Sequence, residues 1–280
     1  MTGKDYFGWE EMKKEDPCWT GCDSLEKAID GCNNLEELFR LWQAAHIFEN
    51  DPKSSFPNLS LAKCQKLPSS DKFKRSFRSS FCPDGFLKAD GKAGVPVLFI
   101  CRESNISGNI KDNVLNPEGV GTDGQDKGSQ SLFWLREVVR CKEKDRSDYF
   151  PGKNSPGTAE KTAQTKYFNC LSQVLKYLKV DTELSNCAYL NINKRGGFAS
   201  CDQSRLAVYA ERYQMFIQKE IRIIQPEHIV ICGELNNGAL RKAMESILQA
   251  CDYHEYWVYP KHPSRYTKKT FENTDKKTII

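Results

Sequence analysis

The chain has 280 residues, 39% hydrophobic and 28% charged, with a mean hydropathy of −0.62 and a formal net charge of +4. That length suits one α/β domain with an N-terminal extension and is enough to bury a substantial core. The longest apolar runs, Val95–Cys101 and His228–Gly233, fall far short of the ~20 residues that span a bilayer, so no membrane partner is expected.

Residues 1–52 carry 5 basic and 12 acidic side chains (net −7) and residues 53–92 carry 9 and 3 (net +6). Residues 93–260 are nearly balanced at +1, and residues 261–280 carry 6 and 2 (net +4). Two basic stretches thus accompany an acidic head; each is either a solvated face or a phosphate footprint. The N-terminus is charged and has no apolar signal core, which points to a cytoplasmic protein with reduced thiols. The twelve cysteines include no Cys-x-x-Cys pair, and His46, His228, His254 and His262 do not fall at zinc-finger spacing. Cys18, Cys22 and Cys32 cluster, with a metal site as the minor reading. No cofactor is expected.

In chain order, residues 24–49 predict helix, with Ser24 as N-cap, interrupted around Gly31–Asn34. Residues 50–94 read as an irregular basic connector, closing an N-terminal extension over 1–92 before an α/β domain over 93–280. Val95–Cys101 predicts a buried strand. Residues 106–130, with five glycines, predict a long loop of the kind that is often functional. Ser131–Lys142 and Ala159–Val180 predict helices, and Asn186–Asn193 a strand closed by a polar turn over Asn193–Gly197. Ser204–Gln225 predicts one long amphipathic helix stopped by Pro226, followed by a strand at His228–Gly233, a helix at Asn237–Cys251 and a strand at Glu255–Tyr259. Strands alternating with helices predict a three-layer α/β sandwich around a central four-stranded parallel sheet, in which ligands bind beyond the carboxyl ends of the strands. No phosphate-binding P-loop or complete dinucleotide fingerprint is present.

The residues at those strand ends carry a resemblance. His262-Pro263-Ser264 follows the last strand. Val97-Leu98-Phe99-Ile100-Cys101-Arg102-Glu103-Ser104 forms a strand running into a polar end. Tyr189-Leu190-Asn191 precedes Lys194-Arg195, and Gln225-Pro226 leads into His228-Ile229-Val230-Ile231-Cys232-Gly233. In order and spacing, over roughly 95–266, these segments resemble the uracil-DNA glycosylase superfamily. The resemblance implies that superfamily's α/β fold and a DNA glycosylase acting as a monomer on a flipped-out base. Glu103 stands where the superfamily has Asp or Asn. Ser104 and Asn105 replace the Pro and the following residue, often a Tyr that excludes 5-substituted pyrimidines in uracil-specific members. The implied substrate is therefore a modified pyrimidine, such as the glucosylated cytosine of phage DNA excised in antiviral defence, with repair of plain uracil as the alternative.

Cleaving an N-glycosidic bond builds positive charge on the sugar and negative charge on the base. Glu103 is the candidate to orient or deprotonate water, and His262 to donate a hydrogen bond to the leaving base. Glu103 could equally be an ion-pair partner of Arg102, Lys194 or Arg195, and His262 a strand-end histidine bonded to backbone. Asn191 offers a donor and an acceptor to a pyrimidine edge, or else caps a turn. Ser104 and Asn105 are further base-binding candidates, and Phe133 or Trp134 is the candidate stacking aromatic, or core. Lys194, Arg195, Gly196 and Gly197 read as a phosphate-contacting turn or a plain solvated one. Lys261, Ser264, Arg265, Tyr266, Lys268 and Lys269 read as the DNA-contacting loop and tail. A nucleoside N-ribosyl hydrolase and a non-catalytic nucleic-acid-binding module remain open. A cysteine nucleophile at Cys101 or Cys232 finds no His/Asp pairing in the sequence.

Overall fold

The computed structural model describes residues 6–51, 81–88, 90–105, 169–197, 201–233, 235–259 and 275–279, with only the main chain described for 103–105, 196–197 and 275. The N-terminal region folds as α1 (Trp9–Glu15), α2 (Leu25–Gly31) and α3 (Leu35–Ile47). Their starts follow from capping chemistry. Ser24 Oγ accepts the Lys27 N–H at 3.3 Å and Asn34 Oδ1 accepts the Glu37 N–H at 2.9 Å, while Glu37 reaches back to the Asn33 N–H at 2.7 Å. The interruption expected around 31–34 is the α2–α3 junction.

The sheet strands follow as β1 (Gly85–Phe86) and β2 (Val97–Asn105). Helical residues 169–178 form α4, and β3 spans Ala188–Gly197. Next come α5 (Gln203–Arg212), α6 (Gln214–Ile224), β4 (His228–Cys232), α7 (Gly238–Gln249), β5 (Glu255–Tyr259) and β6 (Asp275–Thr278). The single helix expected over Ser204–Gln225 is two, parted at Tyr213, and Gln225 closes the second in the left-handed conformation before Pro226.

The sheet is six-stranded and mixed, in the order β1-β3-β2-β4-β5-β6, and not the wholly parallel four-stranded sheet expected. The four strands read from the sequence are its inner part and run parallel to one another. β1 and β6 add antiparallel at the two edges. Residues 81–87 extend the cover of β3, since the Cys82 N–H bonds Lys194 O and the Leu87 N–H bonds Cys187 O. That part of the expected connector is therefore a protected sheet edge.

Strand alternation divides the core between the two faces. Leu98, Ile100, Leu190, Ile192, Ile229 and Ile231 pack with α1–α3 and α5–α7. Val97, Phe99, Cys101, Tyr189, Val230 and Cys232 pack with α4 on the other face. The N-terminal helices share the first of these cores. Trp42 of α3 stacks on Phe216 of α6 at a centroid distance of 5.2 Å and an interplanar angle of 24°, and such pairs add ~1 kcal/mol to the area that they bury. Among the described residues no helix is long and apolar enough to cross a membrane.

Candidate active site

The strand order defines a crevice. From β2 the chain goes to β3 on one side and then to β4 on the other side of β2. The helical residues before β3 lie on one face, and the helix after β4 lies on the other. Where the order reverses in this way, the connections from β2 and β4 leave towards opposite faces, and ligands bind beyond those carboxyl ends in open α/β sheets.

Register sets what stands level at that edge. Cys101 of β2 pairs with Asn191 of β3, and Glu103 pairs with Asn193. Beyond them Asn105 is level with Gly197, so two steps along β2 match four along β3. β3 is bulged between Asn193 and Gly197, and strict alternation fails there.

This bulge corrects the reading of the expected phosphate-contacting turn. Asn193–Gly197 is strand, with Gly196 and Gly197 its last two residues. Lys194 and Arg195, although adjacent in sequence, both reach partners among the helices of the first face, and both side chains are wholly buried. Lys194 Nζ is paired with Asp84 and lies 2.8 Å from Glu220 Oε2, with the ring of Trp42 5.2 Å away. Arg195 Nη2 lies 2.7 Å from Glu49 Oε2 and donates to His46 O at 3.0 Å and to the Tyr213 hydroxyl at 3.1 Å. Arg212 holds the second oxygen of Glu49 at 2.7 Å. Neither Lys194 nor Arg195 can meet a phosphate in this arrangement. They lie inside because buried carboxylates and aromatic faces compensate their lost hydration.

Burial and charge perturb several groups of the same network. Burial pushes the Glu220 carboxyl well above its usual range and Asp84 adds to the rise, against the opposing pull of Lys194. For Arg195, burial lowers the pKa, but Tyr213 and Glu49 outweigh it and the net shift is upward.

Asn191 is buried; its N–H is held by Asp84, and its Oδ1 accepts the Tyr189 hydroxyl at 3.4 Å. Asn193, level with Glu103, was not singled out from the sequence as a site residue. Its Oδ1 caps the Arg195 N–H at 3.0 Å, which fixes the bulge. Glu103, Ser104 and Asn105 are the last three residues of β2. His262, Phe133, Trp134, Lys261, Ser264, Arg265, Tyr266, Lys268 and Lys269 lie outside the described residues, as do the loop expected over 106–130 and the helix expected at Ser131–Lys142.

Beneath the crevice Cys101, Cys170 and Cys232 are buried together with Tyr259. Burial pushes the Cys170 thiol up to about 12, and Cys232 rises well above its ordinary value through its hydrogen bond with Cys101 and through burial. Thiols held neutral in this way pack as small hydrophobes and are poor nucleophiles. No disulfide joins the described cysteines, and no described group of His, Cys, Asp or Glu is arranged to hold a metal ion, Cys18, Cys22 and Cys32 included.

One residue that the sequence offered only as an ion-pair partner of Glu103 stands at the crevice itself. Arg102, half-buried on β2, lays its guanidinium across Gly233, the residue that follows β4. A Cβ at Gly233 would come within 3.0 Å of Arg102 Nη2 and 3.3 Å of Cζ, and Gly233 has a φ of +101°. Only glycine meets both conditions without strain. The sequence signal was Arg at one strand end and Gly at another, two residues that only the β2–β4 pairing brings together.

Compared with protein-family models, curated proteins and solved structures, the chain matches none.

Proposed function

We propose that the protein is a DNA glycosylase that cleaves the N-glycosidic bond of a flipped-out pyrimidine, a modified base in preference to plain uracil, and leaves an abasic site. The observation that carries this reading is the adjacency of three strands. Three of the segments that resemble the uracil-DNA glycosylase superfamily lie on β2, β3 and β4, which run parallel and side by side, so that their carboxyl ends share one edge, while the fourth, His262-Pro263-Ser264, lies outside the described residues.

In this reading Glu103 aligns a water molecule on the sugar C1′ and offsets the positive charge that develops as the C–N bond breaks. His262 donates a hydrogen bond to the base carbonyl, whose oxygen gains negative charge as the electron pair of that bond leaves with the base. Asn191 reads the pyrimidine edge and Phe133 stacks on the ring. Ser104 and Asn105, in the place of a bulky excluding residue, leave room for a 5-substituent. Glucosylated cytosine of phage DNA is a substrate of this kind.

The test is mass spectrometry of bases released from duplexes containing uracil, 5-hydroxymethylcytosine or its glucosylated form. Release from a modified duplex is expected. Abasic sites in the uracil duplex alone would return the reading to uracil repair, and no release from any duplex would overturn it.

One observation favours a second reading, a nucleoside or nucleotide N-ribosyl hydrolase. The internal placement of Lys194 and Arg195 removes two cations from the surface expected to hold DNA. Turnover of free nucleosides without duplex binding would select it.

A further inference from the structure

A recess of about 460 Å³, the size of a small-molecule site, opens at the edge of the sheet opposite to the crevice. Glu227 enters it from the amino end of β4, Asp252, Glu255 and Trp257 from the turn before β5 and from β5 itself, and Lys276 from β6, with His228 and His254 also lining it. We propose that this recess binds an alkyl diammonium ligand of the polyamine class, which displaces Lys276 with one end and meets Glu227 and Asp252 with the other. This site is independent of the glycosylase reading.

The recess already holds one alkylammonium. Lys276 Nζ is paired with Glu255 and lies 5.9 Å from the centre of the Trp257 ring. A carboxylate beside an aromatic face is a chemistry by which proteins recognise ammonium groups. Lys276 stands directly opposite Trp257 across the β5–β6 pair, so the sheet register sets this seat. The Lys276 and Glu255 side chains are 47% and 52% exposed, so their pair is weak and a free amine can exchange with it. Charge is left over once that pair is formed. Three carboxylates line the recess against one ammonium, and Glu227 and Asp252 enter no ion pair or side-chain hydrogen bond among the described residues. Both are fixed by their main chains. The Glu227 N–H donates to Val95 O at 2.9 Å, the Asp252 N–H to Gln249 O at 3.0 Å, and the Tyr253 hydroxyl ties the turn before β5 to Pro226 O at 2.5 Å. No described group of carboxylates and imidazoles is arranged to hold a metal ion, so the cation that suits the remaining charge is an organic one. A second ammonium on the same short alkyl chain supplies it, and half-buried Tyr253 and Trp257 give its methylenes an apolar wall.

The experiment is calorimetric titration of the full chain with putrescine, spermidine and butylamine at about 150 mM salt. Putrescine and spermidine are expected to bind saturably at one site per chain, and butylamine, with a single ammonium, more weakly. Glu227→Gln combined with Asp252→Asn should weaken putrescine by about 4- to 25-fold, from two exposed ion pairs at about 2- to 5-fold each. Lys276→Gln should instead tighten it by about 2- to 5-fold, because the seat on Trp257 and Glu255 is vacated. The α5 variant Glu211→Gln should match wild type. All the substituted side chains are exposed, and each variant is checked by thermal melting.

No saturable binding of putrescine or spermidine by wild type overturns the proposal. So does a loss with Glu211→Gln equal to that of the double variant, which marks general attraction to acidic surface. Weaker binding by Lys276→Gln than by wild type also overturns it, since the ligand then does not replace that ammonium; if the double variant does not fold, Lys276→Gln decides alone. Butylamine binding as tight as that of putrescine overturns the diammonium reading and leaves a seat for a single ammonium, such as a lysine side chain of a partner.

Discussion

Arg195 of β3 and Glu49, two residues past the end of α3, meet 2.7 Å apart with neither side chain exposed to solvent. The pair joins the bulged end of the candidate-site strand to the N-terminal helices. Removing Arg195 leaves buried Glu49 with Arg212 as its remaining cation, so the cost is at most that of a broken buried pair, about 3–5 kcal/mol. Arg195→Met should therefore lower the free energy of urea unfolding by up to that amount, against less than ~0.5 kcal/mol for an exposed substitution such as Lys242→Gln. Adding Glu49→Met should restore part of the loss, since Arg212 then lacks one carboxylate but keeps Asp51. A fall of under ~1 kcal/mol in Arg195→Met would show that the pair does not anchor β3.

The Asp84–Lys194–Glu220 group places one cation between two buried carboxylates. Burial first, and Asp84 next, raise the Glu220 carboxyl well above its ordinary value of 4.5, with Lys194 opposing. A carboxyl with a raised folded pKa binds its proton more tightly in the folded protein. Its stabilising share is complete below the unfolded value and is lost as pH rises through the folded one. Thermal midpoints of wild type should therefore fall relative to those of Glu220→Gln as pH is raised from about 4.5 through neutrality. Parallel pH profiles for the two proteins would mean that Glu220 is ionised in the fold at all of these pH values.

The strands were legible because their signal is local. Val97–Cys101, His228–Cys232 and Glu255–Tyr259 are short apolar or branched runs closed by polar residues, and each forms a sheet strand. The Ser24 cap was legible for the same reason. The end of β3 was not. Asn193-Lys194-Arg195-Gly196-Gly197 has the composition of a turn, and what makes it strand lies far away in the chain. Lys194 is 110 residues from Asp84, and Arg195 is 146 from Glu49. The segmental charge was misleading in the same way. The acidic head supplies Glu49 and Asp51 to internal cations of the α/β core, so part of its charge belongs to folding and not to a partner. Arg102 and Gly233 belong to one site only through β2–β4 pairing, which no local pattern contains.

Gly233 tests its contact with Arg102 directly. Alanine there must adopt a φ of +101° and bring its Cβ to 3.0 Å from Arg102 Nη2. Backbone strain of this kind costs about 1–3 kcal/mol, and Gly233→Ala should show it as a lowered unfolding midpoint. Gly233→Ala combined with Arg102→Ala relieves the collision but not the φ strain, so it should regain only part of the loss. Equal stability of Gly233→Ala and wild type would mean that the main chain at 233 can leave the left-handed region at no cost.

Glu103 and His262 carry the chemical step of the proposed reaction, and their variants separate chemistry from binding. Glu103→Gln keeps the size and hydrogen-bonding capacity of the side chain but removes the charge that offsets the oxocarbenium-like sugar. Single-turnover base release should fall by about 10²- to 10⁴-fold, while duplex affinity changes little. His262→Ala should slow release by a similar factor, because the leaving base loses the donor for its developing negative charge. Glu103→Asp keeps the charge on a shorter arm and matches the residue type implied by the resemblance, so it should retain more activity than Glu103→Gln. If Glu103→Gln releases base at the wild-type rate, water activation lies elsewhere and Glu103 is an ion-pair residue at the end of β2. If both variants release base normally and only affinity falls, the strand-end edge binds nucleic acid and the bond is broken by other groups.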